Sequence, residues 1–142
     1  MANWDAALEK IRKEGVLVIS EKHFLDRKIT SHDLSTGALN YTTDISDKFR
    51  VHQVLICSRD GAGDLLGLDD TTITVYFNSS DSSNYDVNIA RADFDGESDI
   101  AFIGGDNMKS VWGEDGDEIS IKSTGTDAVG VLWITIIFEV LT

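Results

Sequence analysis

Acidic turns are the most chemistry-bearing feature of this sequence. Residues 93–99, which read DFDGESD, place carboxylates at alternate positions around Gly96, and residues 114–118 form a second acidic turn. Ca²⁺ takes six to eight oxygen ligands, which such a turn can supply. The glycine comes too early for the helix–loop–helix calcium motif, however, and no glutamate follows at the required distance. Asp and Gly are also ordinary turn formers, so calcium binding stays an open alternative and we assign no metal ligand.

The remaining reactive side chains show no catalytic spacing. His23, His32 and His52 lie in separate segments, and Cys57 comes late in an apolar stretch. A cysteine in that position is typical of a small buried hydrophobe, whereas a reactive thiol needs exposure and a cationic neighbour. Neither a G-x-S-x-G motif nor a phosphate-binding G-x-x-x-x-G-K-[ST] motif occurs. We therefore expect no enzyme, no catalytic residue and no cofactor, with a dispersed acidic active site as the remaining alternative.

Length and charge limit the classes of protein that fit. The chain has 142 residues, with 12 Lys and Arg against 25 Asp and Glu, for a formal net charge of −13. This length suits one compact domain, and the acidity argues against a nucleic-acid partner, which selects a basic surface. Residues 1–50 hold 8 basic and 8 acidic side chains, so the whole excess of acid lies in residues 51–142. The neutral first part is the better candidate for contact with an acidic or self-like partner.

The ends of the chain carry no targeting or membrane signal. The N-terminus lacks the basic opening and apolar run of a signal peptide, and a lone cysteine is typical of synthesis in a reducing cytoplasm. The most apolar stretch, 129–141, is shorter than the roughly 20 residues of a membrane-spanning helix. We expect neither secretion by a signal peptide nor a membrane partner.

The first 47 residues are predicted to form a helix and an extended arm. Asn3 can cap a short helix that ends before Gly15, and Trp4, Leu8 and Ile11 share one face of that helix. These three side chains are the candidate interface residues, although they could also pack on the chain's own sheet. The polar stretch 20–47 predicts an irregular arm with one or two short strands.

From residue 48 onward the pattern is that of strands. Short apolar or alternating segments recur between loops that are rich in Gly, Asp, Asn and Ser. The pattern predicts a second part, 48–142, that is an all-β, antiparallel, jelly-roll-like β-sandwich, joined to the N-terminal part in one compact domain. The last segment, 129–140, is apolar on both faces, as is typical of a central strand that is covered on both sides.

The order of these segments resembles the small jelly-roll or β-sandwich decoration (cement) proteins of tailed bacteriophage capsids. The resemblance is carried by KFRVHQVLI (48–56), TITVYF (72–77), YDV (85–87), GDEISI (116–121) and VGVLWI (129–134). It implies a non-catalytic structural subunit in the virion, made in the host cytoplasm. It also implies a homo-oligomer that adheres to a larger assembly such as a capsid.

A ligand-binding module is the alternative function. Carbohydrate-binding modules share the Gly-Asp turn, and sugars stack on exposed aromatic rings. Trp112, Tyr85 and Tyr41 lie near predicted loops and are the candidates for such stacking. The sequence thus leaves two functions open: adhesion of a structural subunit, or binding of carbohydrate or calcium.

Overall fold

The computed structural model describes residues 23–95, 99–104, 109–125 and 127–141. Within these ranges the chain forms nine strands and two single-turn 3₁₀ helices, Leu34–Thr36 and Ser83–Tyr85. The strands are β1 (His23–Asp33), β2 (Asn40–Asp44), β3 (Lys48–Arg59), β4 (Thr71–Asn78), β5 (Val87–Phe94), β6 (Ile100–Gly104), β7 (Trp112–Gly113), β8 (Glu118–Gly125) and β9 (Val131–Leu141).

The strands form two sheets that pack face to face. Sheet A has the order β1-β9-β3-β6, and the short β7 pairs with the start of β3. Sheet B has the order β2-β8-β4-β5, and all the pairings are antiparallel. This is the two-sheet arrangement of a jelly roll, which confirms the predicted all-β antiparallel sandwich. The predicted N-terminal helix falls outside the described residues.

The core lies between the sheets and follows from strand alternation. In β4, Ile73, Val75 and Phe77 are buried while the intervening residues point outward. In β9 every second residue is buried, from Leu132 to Val140. Because successive side chains of a strand point to opposite faces, one face of each strand supplies the core. None of the described segments is a helix long and apolar enough to cross a membrane.

The structure differs from the irregular arm that the sequence predicts over 20–47. Strand β1 is 11 residues long and pairs with β9 along its whole length, from His23 opposite Leu141 to Asp33 opposite Val131. Apart from Phe24, its core-facing side carries polar residues, because β1 lies at the sheet edge, where the sandwich is open. There Lys28 Nζ donates hydrogen bonds to Thr43 Oγ1 (2.9 Å) and to the Asp44 carbonyl (2.8 Å) of β2, across the open edge between the two sheets. Residues 23–47 are thus built into the same sandwich as the rest of the described chain.

A second difference concerns the last strand. Strand β9 lies between β1 and β3, as expected for a central strand, and its inner face is buried. Its outer face is not fully covered, since Trp133 is 51% exposed. The apolar residues on this outer face therefore do not belong to the core that the described residues form.

Candidate interaction surface

The outer side of sheet A presents apolar side chains at its centre. We call this surface outer face A and define its centre by two neighbouring rows of paired residues. One row is Ile29–Thr135–Leu55, and the other is Ser31–Trp133–Cys57–Ile100. Ile29 is 69% exposed, Trp133 and Ile100 are each 51% exposed, and Leu55 is 40% exposed. Four large hydrophobic side chains, one on each of four neighbouring strands, thus lie side by side at the surface.

Charged residues flank this centre at both ends of the strands. At the end nearest His23 they are Arg27, Lys48, Arg50 and Glu139, and at the opposite end they are Asp33 and Arg59. The outer face therefore holds four basic and two acidic side chains, in a chain whose net charge is −13. An apolar, charge-free centre inside a polar rim is the usual anatomy of a protein–protein interface.

Arg50 makes several contacts in the rim of outer face A, the charged residues that flank its apolar centre. Its guanidinium donates hydrogen bonds to Glu139 and to Ser110 Oγ (3.2 Å), and it lies 4.8 Å from the centre of the Trp112 ring. Lys48 forms a longer ion pair with Glu114, at 3.5 Å. These contacts pair the two basic side chains with acidic partners at the rim. The two apolar rows beside them contain no charged residue.

The outer side of sheet B has a different chemistry. Its outward positions on β4 and β8 are dominated by hydroxyl-bearing and charged side chains: Thr72, Thr74, Tyr76, Glu118, Ser120, Lys122 and Thr124. Thr42 and Ser120 share a hydrogen bond of 2.8 Å there, and the Lys122 ammonium lies 5.4 Å from the centre of the Tyr76 ring. This outer face is suited to water, so the two sides of the sandwich are chemically unequal.

The predicted site residues do not gather into a ligand site. Trp4, Leu8 and Ile11 fall outside the described residues. Tyr85 is 64% exposed in the second 3₁₀ turn, while Tyr41 packs against the core from β2. Trp112 lies beside β3 with Arg50 over its ring. The three aromatic candidates for sugar stacking thus sit on separate elements and form no common platform.

Two carboxylates of the acidic turns, those of Asp93 and Asp117, accept internal hydrogen bonds. Asp93 accepts hydrogen bonds from Thr72 Oγ1 (2.7 Å) and Arg91 Nε (3.0 Å), which lower the pKa of its carboxyl. Asp117 is buried and accepts from the Glu114 backbone N–H (2.8 Å) and from Ser80. No group of three or more His, Cys, Asp or Glu side chains in the described part of the chain could hold a metal ion. Residues 96–98 of the first acidic turn lie outside that part.

Cys57, His32 and His52 all lie outside the buried core. Cys57 is unpaired but only half-buried, and it lies on outer face A opposite Trp133 rather than in the core. His52 is exposed at a break in the β3–β9 register, and His32 contacts the Gly37 carbonyl through Nε2 (2.7 Å). The predicted burial of Cys57 is therefore wrong. Its strand is apolar on both faces because one face belongs to the core and the other to outer face A.

Sequence reasoning did not find outer face A, because apolar residues on both faces of a strand usually indicate burial on both sides. The signal was nevertheless present in β9, where Trp133 and Ile137 alternate with the core residues Leu132, Ile134 and Ile136. Such a strand needs a second apolar neighbour, and no described segment supplies one over Trp133.

Comparisons with known proteins add fold likenesses at low identity. No protein-family model matches the sequence, and no curated protein matches it. Among solved structures, the chain is similar to the Drosophila NLP core, a structure described in terms of pentamer formation and histone binding. The identity is 11%, the TM-score is 0.44, and the match covers 79% of this chain and 96% of that one.

Two further solved structures come from a bacterial appendage and a virus-like particle. One is a Bacillus endospore appendage from a family of disulfide-linked pili (14% identity, TM-score 0.38, covering 86% of this chain and 91% of that one). The other is the virus-like particle of extra small virus from the prawn Macrobrachium rosenbergii (13% identity, TM-score 0.33, covering 82% and 79%). At TM-scores below 0.5 we take no functional argument from these likenesses.

Proposed function

We propose that this protein is a non-enzymatic structural subunit of a virion, of the capsid decoration or minor structural class. It would act by adhesion to neighbouring protein subunits. The observation that carries the proposal is the inequality of the two outer faces, because sheet A exposes an apolar centre while sheet B exposes hydroxyl and charged groups. A sandwich with both faces in water would have polar residues on both outer sides.

The apolar centre is large enough to hold a partner. Complete burial of a large hydrophobic side chain is worth about 1.5–3 kcal/mol, and outer face A exposes Ile29, Leu55, Ile100 and Trp133 to roughly half their area. Packing them against a partner therefore supplies several kcal/mol. Association costs an estimated 4–15 kcal/mol in lost freedom, so outer face A needs additional contacts at its rim or elsewhere in the chain.

The N-terminal segment is the proposed source of those additional contacts. Trp4, Leu8 and Ile11 are the candidate anchors from the sequence pattern, and the chain passes from this segment into β1, the edge strand of sheet A. Because residues 1–50 carry no net charge, this part of the chain can approach an acidic neighbour without the repulsion that the rest of the sandwich would meet.

Co-assembly with particles tests the proposal. The chain is produced together with the genes that flank its own, and particles are purified on a density gradient. We expect the full chain to sediment with the particles and a variant lacking residues 1–15 to stay at the top of the gradient as a folded protein. Thr74→Glu, which adds a charge on the outer side of sheet B, serves as the matched control and should sediment with the particles.

Two results would count against this function. Absence of the full chain from purified particles would overturn the virion role. Normal sedimentation of the truncated chain would overturn adhesion through the N-terminal anchors.

A further inference from the structure

We propose that outer face A packs against the same face of a second copy of this chain, so that two sandwiches form a back-to-back dimer through their A sheets. The inference rests on the proposed role of this face as a contact surface and names its partner. It follows from three properties of the face: its size, its distribution of charge, and the way its rows match when the face is turned onto itself.

The size of the face agrees with what a stable dimer needs. Strand β9 has 11 residues, and sheet A has four strands side by side. With a rise of about 3.4 Å per residue and a strand spacing of about 4.8 Å, each copy presents roughly 600 Å². A dimer would then bury roughly 1,200 Å² in total, which lies at the lower bound for specific, stable interfaces.

The distribution of charge favours this face as the contact with a second copy. Outer face A has an excess of two basic side chains, whereas the chain as a whole carries −13. The rest of the molecule is therefore strongly acidic and repels a second copy. When two copies meet through their A sheets, the charge-free rows meet at the centre of the contact and the charged residues at the ends of the strands meet around it.

The rows of outer face A are self-complementary in one orientation. In this orientation a two-fold axis lies in the plane between the two faces, perpendicular to the strands. The axis passes between the two central rows, so each strand of sheet A faces the same strand of the second copy. On β1 this axis places Arg27 over Asp33 of the second copy, because the two residues are equidistant from Thr30 on the outward side of the strand. Opposite charges then meet at the same edge of both copies.

The other strands match in the same orientation. On β9 the axis places Ile137 over Val131 of the second copy, both partly buried apolar residues. On β3 it places the Gln53 amide over the Arg59 guanidinium, which is a donor–acceptor match. A charge pair, an apolar pair and a hydrogen-bonding pair thus fall on three neighbouring strands. An isologous two-fold contact requires this kind of self-match, whereas an unrelated partner does not.

The molar mass of the isolated chain in solution provides the first test. Light scattering after size exclusion, at about 100 µM chain, works well above the micromolar Kd that interfaces of this size reach. The full chain should have twice its monomer mass of 15.6 kDa. Trp133→Glu should give the monomer mass, because it places a charge in the apolar centre, and the matched control Thr74→Glu should remain a dimer.

A charge exchange tests the orientation. Arg27→Asp places like charges opposite each other and should give monomers, as should Asp33→Arg. The double variant should recover the dimer, because it restores the opposite pair with the signs reversed. Asp33 also accepts a hydrogen bond from the Ser35 backbone N–H (2.9 Å), so circular dichroism confirms that each variant is folded.

A monomeric full chain would overturn the inference, whether its outer face A is covered by residues 1–22 or is kept for a different protein. A dimer that persists in Trp133→Glu would overturn it as well. The outcome is separable from that of the proposed function. A monomer that sediments with particles rejects the dimer alone, and a dimer that never sediments with them rejects the virion role alone.

Discussion

The carboxylate of Asp117 holds Ser80 by two hydrogen bonds, from the Ser80 backbone N–H (2.7 Å) and from the Ser80 hydroxyl (2.8 Å). The same carboxylate accepts from the Glu114 backbone N–H, so one buried side chain ties the β4–β5 loop to the turn that precedes β8. Asp117→Ala leaves these donors without their acceptor. We expect a loss of about 1–2 kcal/mol in the free energy of unfolding, measured by urea titration, with exposed Asp115→Ala as a near-neutral control.

The same aspartate should make stability depend on pH. Burial alone would raise the pKa of Asp117, but its hydrogen bonds from Glu114 and Ser80 outweigh burial and hold the pKa below its ordinary value of 3.8. The folded state therefore favours the carboxylate. The stabilisation is complete above pH 3.8 and is lost as the pH falls through the folded-state pKa.

Urea titrations from pH 6 downward in the wild type and in Asp117→Asn measure this dependence. The wild type should lose more stability on acidification than the variant does, because the variant lacks this titrating group. Parallel pH profiles in the two proteins would refute the assignment.

Gly113 fits a position where no side chain has room. A Cβ at this residue would collide with the Phe49 ring and stand 3.0 Å from Phe77 Cε2, and both rings are in the core. Gly113→Ala should cost about 1–3 kcal/mol of stability through overpacking. Gly61→Ala is the matched control, since nothing lies within 4 Å of the position that its added methyl group would take. Equal melting temperatures for the two variants would contradict the packing.

Lys28 should contribute more to the free energy of unfolding than its place on an edge strand suggests. Its ammonium links β1 of sheet A to β2 of sheet B through two hydrogen bonds. Lys28→Met should lower the free energy of unfolding by about 1–2 kcal/mol, since both acceptors lose a charged donor. Lys48→Met removes only an exposed 3.5 Å ion pair, which is worth at most about 1 kcal/mol. A larger loss of stability in Lys48→Met than in Lys28→Met would contradict the contact of Lys28 with Thr43 and Asp44.

The strand pattern was readable from the sequence wherever one face of a strand meets the core. Ile73, Val75 and Phe77 alternate with polar residues, and that alternation predicts β4 directly. Strand β1 could not be predicted, because most of its core-facing side is polar at the open edge of the sandwich and its pairing with β9 is made by the backbone. Local side-chain patterns do not record such pairing.

Outer face A could not be predicted from the sequence, for a related reason. Strand alternation reports that two faces of a strand are apolar, but it does not report which face the rest of the chain covers. Trp133, Leu55 and Ile29 come from three distant segments, and only the register of β1, β9 and β3 brings them into adjacent rows. The acidic turns left calcium binding open in the sequence, and in the structure the carboxylates of Asp93 and Asp117 accept internal hydrogen bonds.

Cys57 offers the most direct measurement of the central claim, that outer face A packs against a second copy of this chain. It is the chain's one cysteine, it is half-buried, and it lies opposite Trp133 in the centre of the face. The rate of its alkylation by iodoacetamide is compared between the wild type and Arg27→Asp at the same chain concentration. We predict that Cys57 reacts several-fold more slowly in the wild type, because a second copy covers it there. Equal rates in the two proteins would contradict the claim.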